Sequence, residues 1–347
     1  MNDTKPAAAA RFYTITDAGY FPGTVALVNS LRLTSHTNEI VIFDRGLTAL
    51  QRELLAPECR LFKFEKEISH PAWLKPWPHV TGDEGTLVVI DSDIIVTGSL
   101  NDFLADAAGG KITVFEDTSP ERWFGEWQTL FRLPAGPRHQ TYINSGVVAW
   151  STHHWPELGR RWWESCQQHD RPYARGRSND PMQFCDQDAL NGVLMAEMPS
   201  DALKIWPVWN APFGSMLMNS VVVRDERNLS CECRGRPTLV VHNSGGSTPW
   251  EHGLGPVLRK WRPAYVQLMR RVLSGPDIAV RVPEGELPVW LRAGWGGWAT
   301  ERSLSAMVNA SRGMRRRRAR RIRVRAEEGT LPARAARPPA GARYGGR

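Results

Sequence analysis

A short buried strand that ends in two acidic residues constrains this chain most. Residues 86–90 read Thr-Leu-Val-Val-Ile, and Asp91-Ser92-Asp93 follows directly. An apolar, β-branched run of this length predicts a strand buried on both faces, as in a parallel sheet. Carboxylates at i and i+2 point to one side of an extended chain, and buried like charges are unfavourable unless a cation lies between them. The pattern therefore predicts a divalent metal at the carboxyl edge of a sheet, with a diphosphate as its usual partner.

The segments before this strand alternate between strands and helices. Strands are predicted at residues 10–16, 39–43 and 61–64, with a helix after the first strand and another at 47–55. Thr48 is a candidate N-cap of the second helix. This order is typical of a doubly wound α/β sheet. Further strands are predicted at 111–115, 146–150 and 239–241, and further helices at 157–168, 185–194 and 259–273.

A histidine-containing segment follows the last predicted strand. His242 ends that strand and begins the glycine-bearing run 242–250. Neutral imidazole is a good ligand for manganese or zinc and a poor one for magnesium. Glycines allow backbone N–H groups to approach phosphate oxygens closely. The segment therefore indicates either a metal and phosphate site or a turn with a hydrogen-bonded histidine.

Two further polar segments also permit a structural and a functional interpretation. Residues 142–146 contain an Asn-Ser-Gly sequence that is typical of a turn but can also present an amide to sugar hydroxyls. Residues 185–191 begin a predicted helix. Its Asp186 or Asp188 is either the helix N-cap or part of a polar cluster that hydrogen-bonds a sugar. Spacing alone leaves both interpretations open.

Taken in order, these segments resemble the retaining nucleotide-sugar glycosyltransferases of the glycogenin and bacterial lipopolysaccharide galactosyltransferase type, glycosyltransferase family eight. The resemblance covers residues 10–255, and its last two motifs are the most specific. The matching motifs are Ile15-Thr16-Asp17 with Tyr20, Val89 to Val96, Tyr142 to Val148, Asp186 to Asn191, and His242 with Gly245, Pro249 and Trp250.

The resemblance implies a GT-A fold, a single α/β domain with a mixed, mostly parallel central sheet flanked by helices. It implies that Asp91, Asp93 and His242 hold Mn²⁺, with Mg²⁺ as the alternative ion, and that the ion binds the diphosphate of a UDP-sugar. It implies that Asp186 and Gln187 line the sugar and the reacting carbon as catalytic residues. The donor-binding residues that it implies are Thr16, Asp17, Tyr20, Lys75, Ser92, Asn144, Ser145, Asp188 and Gly245.

The implied chemistry agrees with the residue types. Breaking a glycosyl–phosphate bond develops positive charge on the sugar and negative charge on the leaving diphosphate, which a metal stabilises as a Lewis acid. Asp186 and the Gln187 carbonyl oxygen can stabilise an oxocarbenium-like sugar. Retention of configuration requires either a protein nucleophile or front-face attack. The sequence leaves both open, and we favour front-face attack because no carboxylate is marked out as a nucleophile.

The chain also departs from the family pattern. Thr248 stands where the family usually has a lysine on the diphosphate, and Asn243 stands where it has a tyrosine. Lys75 lies in a Trp-Leu-Lys-Pro-Trp segment that resembles a Lys-Pro element of relatives. Lys75 or Lys260 can therefore supply the missing positive charge.

The predicted domain occupies residues 10–275, after a disordered leader at 1–9 and before a Trp-bearing extension at 276–311. Residues 312–347 contain 13 arginines and two acidic residues, a net charge of +11, whereas the rest of the chain sums to −3. Such asymmetry indicates an appendage with an anionic partner of its own. We expect this tail to be disordered or bound at a membrane surface.

Aromatic residues precede the basic run at a helical spacing. Leu291, Trp295 and Trp298 are spaced i, i+4 and i+7. Aromatic anchors beside basic residues predict contact with an anionic membrane surface, here through residues 290–325. The alternatives are a solvated, disordered tail and, least favoured, nucleic-acid binding.

The cysteines and the hydropathy pattern bear on location. Five cysteines with irregular spacing are typical of reduced thiols in a cytoplasmic protein. No run reaches the ~18 apolar residues of a membrane span, and no signal peptide is visible. We therefore expect a cytoplasmic protein, with peripheral binding at the inner membrane face as an alternative.

The leading functional prediction is a metal-dependent retaining glycosyltransferase that moves a hexosyl group from a UDP-sugar to a glycan or lipid-linked acceptor. One alternative is a catalytically silent nucleotide- or glycan-binding protein with the same fold. The other is an anion-binding adaptor that acts through its basic tail.

Overall fold

The chain forms two compact units, Met1–Glu301 and Arg302–Arg347. The computed structural model describes residues 10–63, 71–168, 180–244, 248–251 and 261–327. The predictions that lie outside these described residues concern the leader at 1–9, Gly245, Lys260 and the end of the tail at 328–347.

All described strands belong to the first unit. In chain order they are β1 (Arg11–Thr16), β2 (Ile40–Asp44), β3 (Arg60–Lys63), β4 (Thr86–Ile90), β5 (Ile94–Val96), β6 (Ile112–Glu116), β7 (Ile143–Ser151), β8 (Leu203–Trp206), β9 (Val221–Asp225), β10 (Ser230–Cys233), β11 (Arg236–Pro237) and β12 (Val240–His242).

Ten α-helices lie among the described residues. They are α1 (Phe21–Leu33), α2 (Ala49–Leu55), α3 (Pro78–Thr81), α4 (Asn101–Ala108), α5 (Trp127–Leu130), α6 (Leu158–Gln167), α7 (Asp186–Glu197), α8 (Gly214–Met218), α9 (Pro263–Ser274) and α10 (Gly294–Glu327).

The main sheet has the strand order β3-β2-β1-β4-β7-β6-β8 among the described residues. The pairs β3–β2, β2–β1, β1–β4 and β6–β8 are parallel, whereas β7 runs antiparallel to both of its neighbours. All five residues of β4 are buried, as the sequence predicts. The predicted α/β fold with a mixed, mostly parallel central sheet is therefore confirmed.

Local signals in the sequence account for the start of helix α2. Thr48 Oγ1 accepts a hydrogen bond from Gln51 N at 3.2 Å, and Gln51 Oε1 accepts one from Thr48 N at 3.0 Å. This reciprocal capping box satisfies two backbone donors that a helix N-terminus otherwise leaves unpaired. The predicted N-cap is confirmed.

Strand β7 differs from the prediction, because it begins at Ile143 and includes the Asn-Ser-Gly sequence that was expected to form a turn. Asn191 on helix α7 explains the difference. Its side-chain amide accepts a hydrogen bond from Ile143 N and donates one to Ile143 O, each at 2.9 Å. The amide thus pairs with Ile143 as a neighbouring backbone would, and β6 pairs with Ile143 and Asn144 beside an irregularity in its register.

The first unit continues past residue 275, where the sequence analysis ended the domain. Asn29 Nδ2 donates to Val272 O and to Val280 O, and Asn29 Oδ1 accepts from Val280 N, all at 2.8 Å. Trp290 is buried, and its Nε1 donates to Pro249 O at 2.7 Å. Residues 278–291 therefore add buried contacts to the first unit, while the exact domain division stays a prediction.

The second unit is described only through the C-terminal part of α10. The sequence predicted a disordered or membrane-bound tail, and the described residues up to Glu327 are helical. Among the described residues, no helix combines the length and the hydrophobicity needed to cross a bilayer. All five cysteines are buried and free, in agreement with the prediction of reduced thiols.

Candidate active site

Three potential metal ligands meet at the carboxyl edge of the main sheet. Asp91 and Asp93 follow β4, and His242 is the last residue of β12. Their ligand atoms all lie within 4.8 Å of one another. His242 Nε2 is 3.2 Å from Asp93 Oδ1 and 3.5 Å from Asp91 Oδ2. The structure thus brings together the three residues that were predicted as metal ligands.

Backbone pairing between distant segments places these side chains. Strand β12 pairs antiparallel with β5, so that His242 lies opposite Ile94, the residue after Asp93. Asp91 N donates to Gly146 O of β7 at 2.9 Å. The sequence analysis missed β5, which has only three residues, and therefore could not say how the histidine reaches the carboxylates.

The imidazole of His242 lies directly against the backbone of β7. A Cβ atom on Gly146 would lie 2.7 Å from both Cε1 and Nδ1 of His242, closer than side chains tolerate. On the other side, Tyr265 of helix α9 donates from its hydroxyl to Asp93 O at 2.8 Å. Glycine at 146 and tyrosine at 265 therefore both support the geometry of the cluster.

The charges of this cluster are only partly compensated. Burial raises the pKa of Asp91 above its usual range, and the nearby cations Lys75 and His242 oppose this only in part. Burial would also raise the pKa of Asp93, but the charge and hydrogen bond of His242 bring it below its usual range. For His242, burial would lower the pKa, but Asp93 and Asp91 raise it.

Two carboxylates and one imidazole within ligand distance of each other suit a divalent cation. The mixed oxygen and nitrogen donor set fits manganese better than magnesium, which prefers oxygen ligands. A dication between Asp91 and Asp93 would also remove the repulsion between two carboxylates at the end of a buried strand. The residues present therefore fit the metal that the sequence predicts.

Lys75 connects the metal cluster to a second polar cluster. Its Nζ lies 2.9 Å from Asp91 Oδ1, 2.9 Å from Asp186 Oδ2 and 3.2 Å from Ser145 Oγ. Burial alone would lower the pKa of Lys75, but Asp186 and Asp91 raise it well above its usual range. The side chain is therefore a fixed cation between two carboxylates of the site.

The second cluster, which we call the amide cluster, consists of Asn144, Ser145, Asp186, Gln187 and Asp117. Ser145 Oγ donates to Asp186 Oδ2 at 2.8 Å. Gln187 Oε1 accepts from Asn144 Nδ2 at 3.0 Å and from Ser145 N at 3.1 Å. Gln187 Nε2 donates to Asp117 Oδ2 at 2.9 Å. The residues predicted to line the sugar and reacting carbon are therefore joined in one hydrogen-bond network.

The sequence analysis missed Asp117. This residue directly follows strand β6 and is buried. A usable signal was present, because Asp117 lies two residues after the predicted strand 111–115, and carboxylates after the strands of an α/β sheet lie at the edge where ligands bind. A lone carboxylate after a strand is a weaker signal than an Asp-x-Asp pair, and it was passed over.

Asp188 lies among buried polar partners of its own. Its carboxylate is fully buried and accepts hydrogen bonds from Arg122 Nε and Nη2, at 2.8 and 2.9 Å, from the hydroxyl of Tyr142 and from Phe184 N, both at 2.7 Å. These contacts anchor the first turn of α7. The role of Asp188 in donor binding stays a prediction.

Neither aspartate is the N-cap of α7. That position belongs to Cys185, which has a positive φ of 44° and no side-chain capping bond. Asp186 and Asp188 both lie inside the first turn, where negative charge interacts favourably with the helix dipole. Positions i and i+2 lie about 200° apart around a helix, so the two carboxylates point to different sides.

The predicted nucleotide-binding residues follow strand β1. Asp17 Oδ1 accepts from Tyr20 N at 2.9 Å, which closes the turn before α1. Tyr20 is 41% exposed, and its ring stands edge-on to Trp250 with 5.9 Å between centroids. The buried hydroxyl of Thr16 accepts from Thr24 Oγ1 at 2.7 Å and is turned towards α1, and its role in donor binding stays a prediction.

The turn with Ser92 packs closely on the start of α1. A Cβ atom on Gly23 would lie 2.7 Å from Ser92 O and 2.6 Å from the Trp250 ring, whose Nε1 donates to Gly19 O at 2.9 Å. Thr248, at the family's lysine position, donates from its hydroxyl to Glu251 Oε1 at 3.1 Å. Trp250 therefore contacts the predicted nucleotide-binding turn at residues 17–20, and Gly23 packs between Trp250 and the turn that contains Ser92.

Solved structures with a similar architecture are glycosyltransferases. The chain aligns with the galactosyltransferase LgtC, solved in complex with donor and acceptor sugar analogs, at a TM-score of 0.51 and 18% identity. That alignment covers 80% of this chain and 100% of the LgtC chain, and a second LgtC structure, of an active-site mutant, gives a TM-score of 0.50. The apo structure of the bifunctional glycosyltransferase WbbM also gives 0.50, at 15% identity, with 78% of this chain covered.

The chain spans only half the length of WbbM. No protein-family model and no curated protein matches the sequence. At these identities the likeness establishes architecture alone, so the more specific resemblance to glycosyltransferase family eight stays a prediction. What is established is that the first unit has the GT-A type of α/β fold found in these glycosyltransferases.

Proposed function

We propose that this protein is a metal-dependent retaining glycosyltransferase that transfers a hexosyl group from a UDP-sugar to a glycan or lipid-linked acceptor. The observation that carries the proposal is the Lys75 bridge. Through it the metal-ligand cluster and the catalytic pair Asp186 and Gln187 form one continuous site at the carboxyl edge of a GT-A sheet. Donor diphosphate and donor sugar are adjacent in the substrate, and the residues suited to each are adjacent here.

Asp91, Asp93 and His242 would hold the cofactor, which we propose to be Mn²⁺, with Mg²⁺ as the alternative. A divalent cation bound there would neutralise the negative charge that develops on the leaving diphosphate. Lys75 adds a fixed positive charge beside Asp91 without needing to reorganise. This position supports Lys75 as the cation that replaces the family lysine absent at Thr248.

Asp186 is the residue best suited to meet the sugar. Its Oδ2 is bonded to Lys75 and Ser145, whereas its Oδ1 accepts no hydrogen bond from any described residue. The Oδ1 atom is thus available to a sugar hydroxyl or to positive charge at the reacting carbon. Asn144, Ser145 and Gln187 hold Asp186 in this orientation through the amide cluster.

Front-face attack is the route that we favour. In this route an oxygen of the leaving phosphate accepts the proton of the acceptor hydroxyl. Asp188 is the neighbouring carboxylate on α7, but it cannot attack the sugar without breaking its bonds to Arg122 and Tyr142. Those bonds argue against Asp188 as a protein nucleophile.

UDP release in the presence of Mn²⁺, measured with a panel of UDP-hexoses, tests the proposal. We expect turnover with at least one donor, loss of turnover in Asp93→Ala and unchanged turnover in Glu53→Gln, which changes an exposed carboxylate on α2. Tight UDP binding without turnover on any donor would instead favour the catalytically silent binding protein. Loss of cellular function with intact turnover after removal of residues 312–347 would favour the adaptor, and the membrane surface at 290–325 stays a prediction.

A further inference from the structure

Asp117 is a buried carboxylate that forms no ion pair with any described residue. Its Oδ1 accepts a hydrogen bond from Ser119 N at 2.9 Å, and its Oδ2 accepts from Gln187 Nε2 at 2.9 Å and from Asn144 Nδ2 at 3.4 Å. It is 4% exposed. A buried charge without a cation is unfavourable unless hydrogen bonds stabilise it, so these donors account for its place in the fold.

The carboxylate dictates how the Gln187 amide is turned. An ionised carboxylate only accepts hydrogen bonds, so it selects the NH₂ end of the amide. The carbonyl end must then face Asn144 Nδ2 and Ser145 N, which are both donors. Rotating the amide by 180° would oppose oxygen to oxygen at Asp117 and nitrogen to nitrogen at the other two contacts. Only one orientation satisfies all three partners.

The amide orientation is transmitted to the proposed reacting centre. Ser145 donates from its backbone N–H to Gln187 Oε1 and from its hydroxyl to Asp186 Oδ2. Asp186 in turn contacts Lys75, which contacts Asp91. Asp117 is thus the first link of a hydrogen-bond chain that ends at the metal ligands.

We propose that Asp117 is a positioning residue for the reacting centre: its carboxylate locks the Gln187 amide, and through Ser145 the Asp186 carboxylate, in the orientation needed for sugar transfer. The kinetic part of this inference rests on the proposed function. Asp117 acts without touching the sugar, because each of its oxygens is already occupied by donors of the protein.

The test compares Asp117→Asn with the matched control Asp102→Asn, which removes an exposed carboxylate from the first turn of α4. Since a small misplacement of reacting groups lowers rates up to about 100-fold, we expect kcat to fall by about 10-fold or more in Asp117→Asn. The KM for donor should change by less than about threefold, because a positioning residue acts on the reacting centre rather than on donor binding. The control should match the parent protein in both constants.

Coupling to Gln187 separates positioning from a general structural role. In a Gln187→Met background there is no amide to orient, so Asp117→Asn should lower kcat by less than about twofold further. If the two substitutions lowered kcat by independent factors that multiply in the double variant, the proposal would be overturned. An equal loss of kcat and rise of KM in the single variant, with a lowered melting temperature, would overturn it as well.

A measurement without turnover keeps the inference distinct from the proposed function. The Gln187 side-chain NH₂ resonances, identified by their absence in Gln187→Met, should exchange with solvent at least about 10-fold faster in Asp117→Asn, because the substituted side chain keeps one acceptor oxygen, for which Ser119 N competes. Unchanged exchange would overturn the inference even if the enzyme is active. If the parent protein releases no UDP from any donor, the proposed function fails and this exchange measurement alone decides on Asp117.

Discussion

The metal cluster and the amide cluster lie side by side but are stabilised in different ways. In the amide cluster, each carbonyl and amide group of Gln187 and Asn144 has a hydrogen-bond partner within the protein. In the metal cluster, Asp91 and Asp93 are two neighbouring carboxylates that share the imidazole of His242, and Lys75 pairs with Asp91. The amide groups of the first cluster are satisfied without a ligand, whereas the two carboxylates of the second cluster suit a bound cation.

This difference predicts which property of the protein changes when residues of each cluster are substituted. A satisfied hydrogen-bond network fixes geometry in advance, so that changes to it act on orientation and hence on rate. An uncompensated pair of carboxylates gains most from a bound cation, so that changes to it act on affinity. We therefore expect variants in the metal cluster to alter metal binding and variants in the amide cluster to alter kcat.

The largest effect is expected from loss of a metal ligand. His242→Ala should weaken Mn²⁺ binding by more than about 100-fold, because even residues that only support a ligand contribute 10–100-fold to metal affinity. Electron paramagnetic resonance of free Mn²⁺ gives the affinity, and thermal unfolding checks that the fold is retained. Retained affinity in a folded His242→Ala protein would contradict the metal assignment. His139→Ala, which changes an exposed histidine, is the control.

A methyl group on Gly146 should act on the same affinity from outside the ligand set. In Gly146→Ala the added Cβ would lie 2.7 Å from the His242 ring, so the imidazole has to move away from the carboxylates. We expect Mn²⁺ affinity to fall by about 10–100-fold and stability by about 1–3 kcal/mol. Gly159→Ala on α6 is the control, since its added Cβ would make only contacts of 3.4 Å or longer. Equal Mn²⁺ affinities in the two variants would show that the imidazole is not held by contact with Gly146.

The sequence predicted the metal cluster better than the amide cluster for a physical reason. Asp91-Ser92-Asp93 follows one buried apolar strand and His242 ends another, so both features are visible in short segments of sequence, and the family resemblance joined the three residues into one ligand set. Asn144 and Ser145 were expected in a turn, because the partners that extend β7 to Ile143, the Asn191 amide and strand β6, lie far from it in the sequence. A contact of that kind leaves no local pattern.

Asp188 and the strands of the sheet show the same limit. Asp188 is paired in its buried position with Arg122, which lies 66 residues away in the sequence, so no local pattern indicates this contact. Only the periodicity of a helix indicates that Asp186 and Asp188 point to different sides. Strands β1 to β4, β6, β7 and β12 were predicted from their apolar runs. Strand β8 of the main sheet and strands β5 and β9 to β11 were not predicted, and the three residues of β5 are stabilised by pairing with β12 rather than by a pattern of their own.

Lys75 belongs to both clusters and should therefore affect them with opposite signs. Lys75→Met removes the cation that neutralises Asp91, so Mn²⁺ should bind more tightly, by about threefold for a partly screened charge. The same change releases Asp186 from its ion pair, and turnover should fall by about 10-fold. Mn²⁺ titration and UDP release on the same preparation measure the two effects. If Mn²⁺ affinity and turnover instead rose together or fell together, the metal cluster and the amide cluster would not differ in the way proposed.

The smallest effect tests support from the segment beyond residue 275. Trp290→Phe keeps an aromatic ring but removes the Nε1–H that donates to Pro249 O, next to the Trp250 ring that contacts Tyr20. Loss of one buried hydrogen bond should lower the free energy of unfolding by about 0.5–1.5 kcal/mol. We expect UDP affinity to fall by less than about threefold with Mn²⁺ affinity unchanged, because the contact supports the nucleotide-binding turn and not the metal ligands. Calorimetric titration of UDP and of Mn²⁺ separates the two, with Val289→Ala, at a half-exposed position, as the control. A loss confined to Mn²⁺ would mean that this segment supports the metal cluster instead.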